Sequence, residues 1–414
     1  MGADGFNATG WKTRTQIREN GAVYPQRILN MSQSRELKRK KVLRVSTAII
    51  AAVVLLGLIA FFRHGYDTTL MLADLAGLQA PLPDHRPAAG RSEIEYDAGG
   101  GRRAADLYAP QGTAARAGLV LVPGAAEGGR RDPRLVEFAE ILARSEFAVL
   151  VPDIPSFREL RPSPDSVREI VDGVGQLRNG GALAVGLRLG IGAFSIASGP
   201  AVLAALDAPE CCAADFLVLV GGYHDLPRTL TYLTTGYIEA DGQPQQRDPD
   251  AYGKWVYALS NAGRLQDPAG RAALAALARR KLNDPQAATG DLLAALDPAG
   301  RAVYEFIDNR DPARVPRLLA ALPDGVRSDI ETLDLAARDL SGLRADFILV
   351  HGLDDDIIPY TESVSLADAL PPGRSRLFLL EGLHHVDREL RGLDAWRLWR
   401  ALRAVLAQRD RGSA

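Results

Sequence analysis

Six short apolar runs punctuate this chain, and none of them alternates with polar residues: Leu119–Val122, Phe147–Val151, Leu189–Phe194, Phe216–Val220, Phe347–Val350 and Leu377–Leu380. A strand with one face in water alternates. A short unalternating run bounded by turns fits a strand buried on both faces, as in a parallel sheet covered by helices on each side. Most of the runs are separated by helical stretches, and Asp132-Pro133 opens one with Asp as N-cap and Pro at the first helical position. Ahead of the first run, Glu93-Ile94-Glu95-Tyr96 and Ala105-Asp106-Leu107-Tyr108 flank Gly99-Gly100-Gly101 and suggest a hairpin. The expected class is α/β, with a mostly parallel sheet flanked by helices.

Residues 227–341 break this pattern. The interval is rich in Ala, Leu and Arg and holds no strand-like run. It repeats the Asp-Pro helix starter at Asp267-Pro268, Asp284-Pro285, Asp297-Pro298 and Asp311-Pro312. The spacings of 17, 13 and 14 residues are too irregular for a solenoid. A helical cap inserted between sheet strands is expected, lying over the strand C-terminal ends where ligands bind in such folds. A helical side domain away from any site is the alternative.

Three chemical groups each follow one of the apolar runs. Ser195 lies in Ala193-Phe194-Ser195-Ile196-Ala197, after the third run. Asp355 lies in His351-Gly352-Leu353-Asp354-Asp355-Asp356-Ile357-Ile358-Pro359, after the fifth, and His385 in Gly382-Leu383-His384-His385, after the sixth. A serine hydroxyl is a poor nucleophile unless a base takes its proton as it attacks. An imidazole does this, and a carboxylate holds that imidazole in the useful tautomer and stabilises the imidazolium that forms. The serine must also project from a tight strand-to-helix turn with small neighbours, and the helix-like Ser198–Asp207 supplies the helix. The chain order Ser, Asp, His differs from the orders of the other large serine-hydrolase folds.

On these residues the sequence resembles the α/β-hydrolases. Ser195 is similar to the nucleophile elbow, His351-Gly352-x-x-Asp355-x-x-Ile358-Pro359 to the acid loop, and Gly382-x-x-His385 to the histidine loop. Leu121-Val122-Pro123-Gly124-Ala125 resembles the oxyanion-loop segment, and Val151-Pro152-Asp153 the strand end after it. The resemblance spans residues 92–225 and 342–405. It implies an α/β-hydrolase fold, a catalytic triad of Ser195, Asp355 and His385, and an oxyanion hole made by the backbone N–H groups of Ala125 and Ile196. Two departures stand out. Ala193 and Ala197 occupy the glycine positions of G-x-S-x-G, and Pro123-Gly124 replaces the usual His-Gly.

Each residue has a competitor. Ser195 also fits a small residue at a close-packed turn, and Ser198 falls one helical turn too late for a nucleophile. Asp354, Asp355 and Asp356 also read as a solvated loop or a weak calcium site, and spacing from His351-Gly352 selects Asp355. His384 competes with His385 for one role. His224 follows a strand and either lines the pocket or is a loop histidine bonded to backbone. Gly190-Ile191-Gly192 opens like a dinucleotide fingerprint, but its sixth position is Ser195. No metal or cofactor is implied: there is no H-E-x-x-H or Cys-x-x-Cys pair, and the six histidines do not cluster like zinc ligands. Cys211 and Cys212 are adjacent, with Cα atoms about 3.8 Å apart, short of the usual disulfide span of about 4.4–6.8 Å. They read as free thiols or small buried hydrophobes.

The 414 residues are 47% hydrophobic and 24% charged, ordinary for a globular protein. The net charge of −2 argues against nucleic acid as the main partner. Residues 1–44 hold ten Lys/Arg against three acids, a charge of +7, so the remainder carries −9. After that basic segment, Val45 to Phe62 form an 18-residue run without a charge. As a helix it would span about 27 Å, near the hydrocarbon thickness of a bilayer. Lys38-Arg39-Lys40-Lys41 before the run and only Arg63 and His64 after it place the N-terminus in the cytoplasm and the rest on the far side, periplasmic or extracellular. No small-x-small cleavage site follows, so an uncleaved transmembrane anchor is expected rather than a removed signal. Met31 precedes a conventional anchor and is an alternative start.

The expected organisation is a basic segment 1–44, an anchor 45–62, a helix and linker 63–91, an α/β-hydrolase core in two parts (92–226 and 342–414), and the helical cap 227–341 between them. The expected function is a membrane-anchored serine hydrolase that cleaves a carboxylic ester, its substrate a small-molecule or lipid-like ester. Acyl transfer or peptide hydrolysis on the same triad is the second enzymatic reading. A tethered, non-catalytic binding domain on a degenerate hydrolase scaffold is the reading from another class.

Overall fold

The computed structural model describes residues 42, 45–47, 49–58, 65–78, 82–99, 101–160, 163–209, 212–240, 242–384, 387–388 and 393–411. The chain divides into two compact units, Met1–Arg63 and His64–Ala414. In the first, residues 49–58 are helical. The side chains of Ile49, Ile50, Val53, Val54, Leu55, Leu56 and Leu58 are exposed there. No helix among the described residues is long and apolar enough to cross a membrane. The expected 18-residue anchor is therefore not found as such: continuous helix covers residues 49–58, and residues 48 and 59–62 of the run lie outside the described set.

The second unit is built on an eight-stranded sheet. Its strands are β1 Ala89–Ala98, β2 Gly101–Pro110, β3 Ala117–Val122, β4 Phe147–Pro152, β5 Leu189–Phe194, β6 Phe216–Val220, β9 Asp346–Gly352 and β10 Ser375–Leu380. The spatial order is β1-β2-β4-β3-β5-β6-β9-β10. β1 and β2 pair antiparallel as the glycine-turn hairpin, and β2 joins β4 antiparallel. From β4 to β10 every pairing is parallel. All six apolar runs are strands of this sheet. Each central strand also divides its side chains between two apolar layers. Val120, Val122, Ile191, Ala193, Leu217, Leu219 and Leu349 face one layer. Leu119, Leu121, Phe147, Val149, Phe216, Val218 and Val350 face the other. Burial on both faces is why no polar residue alternates in these runs.

Helices cover both layers. Helix Pro133–Arg144 starts at Asp132, whose side chain accepts the Arg134 N–H at 3.0 Å, and it buries Leu135, Ala139 and Leu142 at helical spacing. Helix Asp165–Asn179 covers the opposite face with Ile170, Val174 and Leu177. Helix Tyr66–Leu75, expected to precede a linker, belongs to the fold. It lies against the C-terminal helix Leu393–Arg411, where the Trp399 indole N–H donates to Thr69 Oγ1 at 3.2 Å and Arg409 pairs with Asp67 at 2.9 Å.

Between β6 and β9 the chain makes the expected helical insertion, with helices Leu226–Thr235, Ala251–Ala262, Pro268–Asn283, Pro298–Asp308 and Asp324–Leu333 among its elements. Its apolar residues Trp255, Leu274, Phe306 and Val326 belong to the same buried cluster as one sheet face. Two expectations are corrected here. A strand pair does interrupt the insertion: β7 Tyr237–Ala240 and β8 Gln243–Gln246 form an antiparallel hairpin. Only three of the four Asp-Pro pairs open helical structure. Asp267, Asp297 and Asp311 accept the N–H of Gly270, Gly300 and Ala313. Asp284 instead ends a helix: its N–H goes to the Arg280 carbonyl, and its side chain turns the chain by accepting the Gln286 N–H at 2.9 Å.

Candidate active site

Ser195 follows β5 directly and leads through a single 3-10 turn into helix Ser198–Asp207. Its backbone has φ +54°. A non-glycine residue in the left-handed region stores of order 1–3 kcal/mol and persists only where its surroundings force it. Here the forcing comes from the core, because Ala193 and Ala197 on either side are fully buried in the apolar cluster. The turn thus forms with alanine at both glycine positions. Ser195 itself is half-buried, whereas Ser198 is fully buried and its hydroxyl accepts the Tyr223 N–H at 3.2 Å. Ser198 is a structural group inside the elbow.

The loop after β3 lies beside this turn, since a β-carbon on Gly124 would sit 3.7 Å from the Phe194 carbonyl oxygen. Ala125 and Ile196 are both half-buried. Among the described residues, the Ala125 N–H has no backbone carbonyl partner. Arg130 pins the far end of the loop to the sheet. Its guanidinium donates to Asp106 Oδ1 on β2 and to Glu93 Oε1 on β1, both at 2.6 Å. The anchor is buried, with Asp106 1% exposed. Arg91 holds the other Asp106 oxygen at 2.9 Å, so this buried carboxylate is matched by two cations.

The acid loop leaves β9 two strands away from β5, at the same C-terminal end of the parallel strands. Asp354 is exposed, Asp356 is half-buried and Asp355 is buried at 2%. Of the three, Asp355 therefore has the fixed environment a positioned acid needs. Its Oδ1 accepts the N–H groups of Ile357 and Ile358, each at 2.9 Å. Its Oδ2 faces His351 Nε2 at 3.4 Å and lies against the backbone of Gly221, the residue after β6. His351 is fully buried, its ring nitrogens 2.6 Å from Ser363 Oγ and 2.9 Å from the Ile358 carbonyl, which closes the loop on itself.

The histidine loop starts against this acid loop. Leu353 donates its N–H to the Leu380 carbonyl at 2.8 Å. A β-carbon on Gly352 would lie 1.9 Å from the Leu383 carbonyl oxygen. The glycine of His351-Gly352 is thus required by a backbone crossing. Gly352→Ala is expected to force the two loops apart and to destabilise the fold by about 3 kcal/mol or more, read as a lowered urea midpoint together with loss of turnover. A variant of unaltered midpoint and activity would show that the crossing is slack. His385, and the side chain of His384, lie outside the described residues.

Some groups around the site carried no motif. Glu362 is fully buried and accepts the N–H of His224 at 3.0 Å, the N–H of Asp225 at 2.8 Å and the Arg228 guanidinium at 2.5 Å. It ties the loop after β6 to the helix after the acid loop, and in sequence it is one glutamate at a helix start. The His224 backbone is also held through its carbonyl, which accepts the Ala336 N–H at 3.1 Å, and burial pushes its imidazole pKa down. Cys212 is half-buried. No group of His, Cys, Asp and Glu suited to a metal occurs among the described residues.

No protein-family profile matches the chain, and no curated protein matches its sequence. Solved structures do match its fold. A candidate hydrolase of Legionella pneumophila aligns with TM-score 0.52 at 11% identity, covering 83% of this chain and 95% of that one. A Mycobacterium tuberculosis puromycin-hydrolyzing peptidase aligns at 0.45 and 15% identity over 80% of this chain, which spans 40% of the peptidase. A Pyrobaculum calidifontis esterase aligns at 0.44 and 14% identity, covering 86% and 94% of the two chains. The antiparallel hairpin at one edge, the parallel strands that follow it and the sharp turn after β5 together make this an α/β-hydrolase fold.

Proposed function

We propose that the chain is a serine hydrolase acting on carboxylic esters, with Ser195, His385 and Asp355 as its triad. The observation that carries this reading is the positive φ of Ser195 directly after β5, the tight strand-to-helix turn from which a nucleophilic hydroxyl would project. Ser195 Oγ attacks the ester carbonyl while His385 takes the hydroxyl proton. The oxyanion that develops accepts the N–H groups of Ala125 and Ile196. His385 then returns the proton to the leaving alkoxide, which departs as an alcohol and leaves the acyl group on Ser195. Water, deprotonated by the same imidazole, releases the acid and restores the serine. Asp355 holds the imidazole tautomer and stabilises the imidazolium.

The reading extends to placement. The uncharged run 45–62 behind a basic cluster, and the apolar side chains exposed around helix 49–58, support a membrane anchor with the catalytic unit on the side opposite the cluster. A small-molecule or lipid-like ester is then the substrate class.

A fluorophosphonate probe tests both parts on the full chain. Wild type and Ser198→Ala are expected to label, Ser195→Ala is not, and the labelled band should stay with membranes through an alkaline carbonate wash. Folded wild-type protein that refuses the probe would leave the binding-module reading standing. A band released by the wash would remove the anchor.

A further inference from the structure

We infer that Arg247 is a positioning residue through which the insertion clamps the acid loop, so that the geometry of Asp355 depends on the cap being seated. The inference rests on the reading of Asp355 as the catalytic acid. Three separate parts of the insertion reach the backbone of that loop within four consecutive residues. Arg247 Nη1 donates to the Leu353 carbonyl at 2.8 Å, the Tyr232 hydroxyl to the Asp355 carbonyl at 3.3 Å, and the Asp250 N–H to the Asp356 carbonyl at 3.0 Å. Arg247 also lies over the ring of Tyr360, 5.5 Å from its centroid, at the far end of the loop. One guanidinium thus holds both ends of the segment that carries Asp355, a geometry suited to a planar fork of donors.

Arg247 is itself held. It directly follows β8, and its N–H donates to the Gly236 carbonyl at 2.9 Å. Gly236 ends helix Leu226–Thr235 with φ +75°, and a β-carbon there would lie 2.0 Å from the Arg247 carbonyl oxygen. Only glycine permits that approach. The β7–β8 hairpin folds back on the helix end as well, since Gln246 donates to the Thr235 carbonyl. The hairpin therefore acts as a bracket that presents Arg247 to the acid loop. Among the described residues its guanidinium donates to a backbone carbonyl and lies over a ring, so it acts on the chemistry by fixing where Asp355 stands rather than by proton transfer.

The test compares Arg247→Ala, Arg247→Lys and a control, Arg264→Ala, in the full chain. Arg264 pairs with Asp329 inside the insertion and, among the described residues, makes no hydrogen bond to the acid loop. In Arg247→Ala, kcat on an aryl ester is expected to fall about 30-fold with KM within about threefold, as a small misplacement of a catalytic group produces. Amide exchange at Ile357 and Ile358, the donors to Asp355 Oδ1, should accelerate at least about tenfold. Arg247→Lys should recover part of kcat, and Arg264→Ala should leave kcat and exchange at wild-type values. Wild-type kcat in Arg247→Ala, or equal losses in both alanine variants, would overturn the clamp. If Ser195→Ala shows the hydrolase reading itself to be wrong, the exchange experiment decides alone: acceleration supports the clamp and unchanged exchange removes it.

Discussion

Ser195→Gly is expected to abolish turnover and at the same time to stabilise the protein. Loss of a serine nucleophile removes the covalent step, and a fall of about 10⁴-fold or more in kcat follows when the rest of the machinery is left intact. The stability gain has a separate origin. Ser195 is held at φ +54° by the buried alanines around it. Glycine adopts that backbone conformation freely, so the stored strain of order 1 kcal/mol or more is released, partly offset by the larger unfolded-state entropy of glycine. A net rise of about 0.5–1 kcal/mol corresponds to a Tm increase of roughly 1 °C in a unit of this size. Calorimetry beside an ester assay reads both. Retained activity would place the nucleophile elsewhere, and a lowered Tm would mean that the turn is not strained.

Asp355→Asn should cost about 10⁴-fold in kcat with little change in fold, the loss expected when the carboxylate of a triad can no longer orient its imidazole. The geometry says how the amide would seat. Asn Oδ1 can keep the N–H groups of Ile357 and Ile358, which fixes the amide and puts its NH₂ where Oδ2 now stands. An NH₂ donates and cannot accept an imidazole N–H, so the base is left in the wrong tautomer. Unfolding curves should stay within about 1 kcal/mol of wild type, while aryl-ester turnover collapses. Wild-type kcat in this variant would move the acid role to another residue.

Much of the sheet was legible in the sequence because two-sided burial leaves an unbroken apolar signature, and the positions of Ser195 and Asp355 followed from it. The β7–β8 hairpin left no such trace. Gln243–Gln246 is largely exposed, contains Pro244 and pairs with one short neighbour, so neither apolarity nor alternation marks it. Asp-Pro was reliable as a helix starter only where the chain was free to begin a helix. At Asp284 a preceding helix was still closing its last turn. The roles of Glu362 and Arg247 were invisible because both act on backbone groups more than a hundred residues away, and backbone groups carry no sequence signature. The strain at Ser195 was equally hidden, since alanine in place of glycine reads as a weaker elbow until the burial of both methyl groups is seen.

Those two methyl groups have a consequence for how this protein can change. Ala193 sits in β5 with Val122 on one side and Leu219 on the other, and Ala197 is sealed in the same layer. The wall of the interior and the footing of the Ser195 hydroxyl are therefore made of the same atoms. Descendants of this chain cannot reshape the turn without disturbing the packing, or loosen the packing without shifting the hydroxyl. On the hydrolase reading, new substrate preferences would have to be sought at exposed positions of the insertion, where variation leaves that shared wall alone.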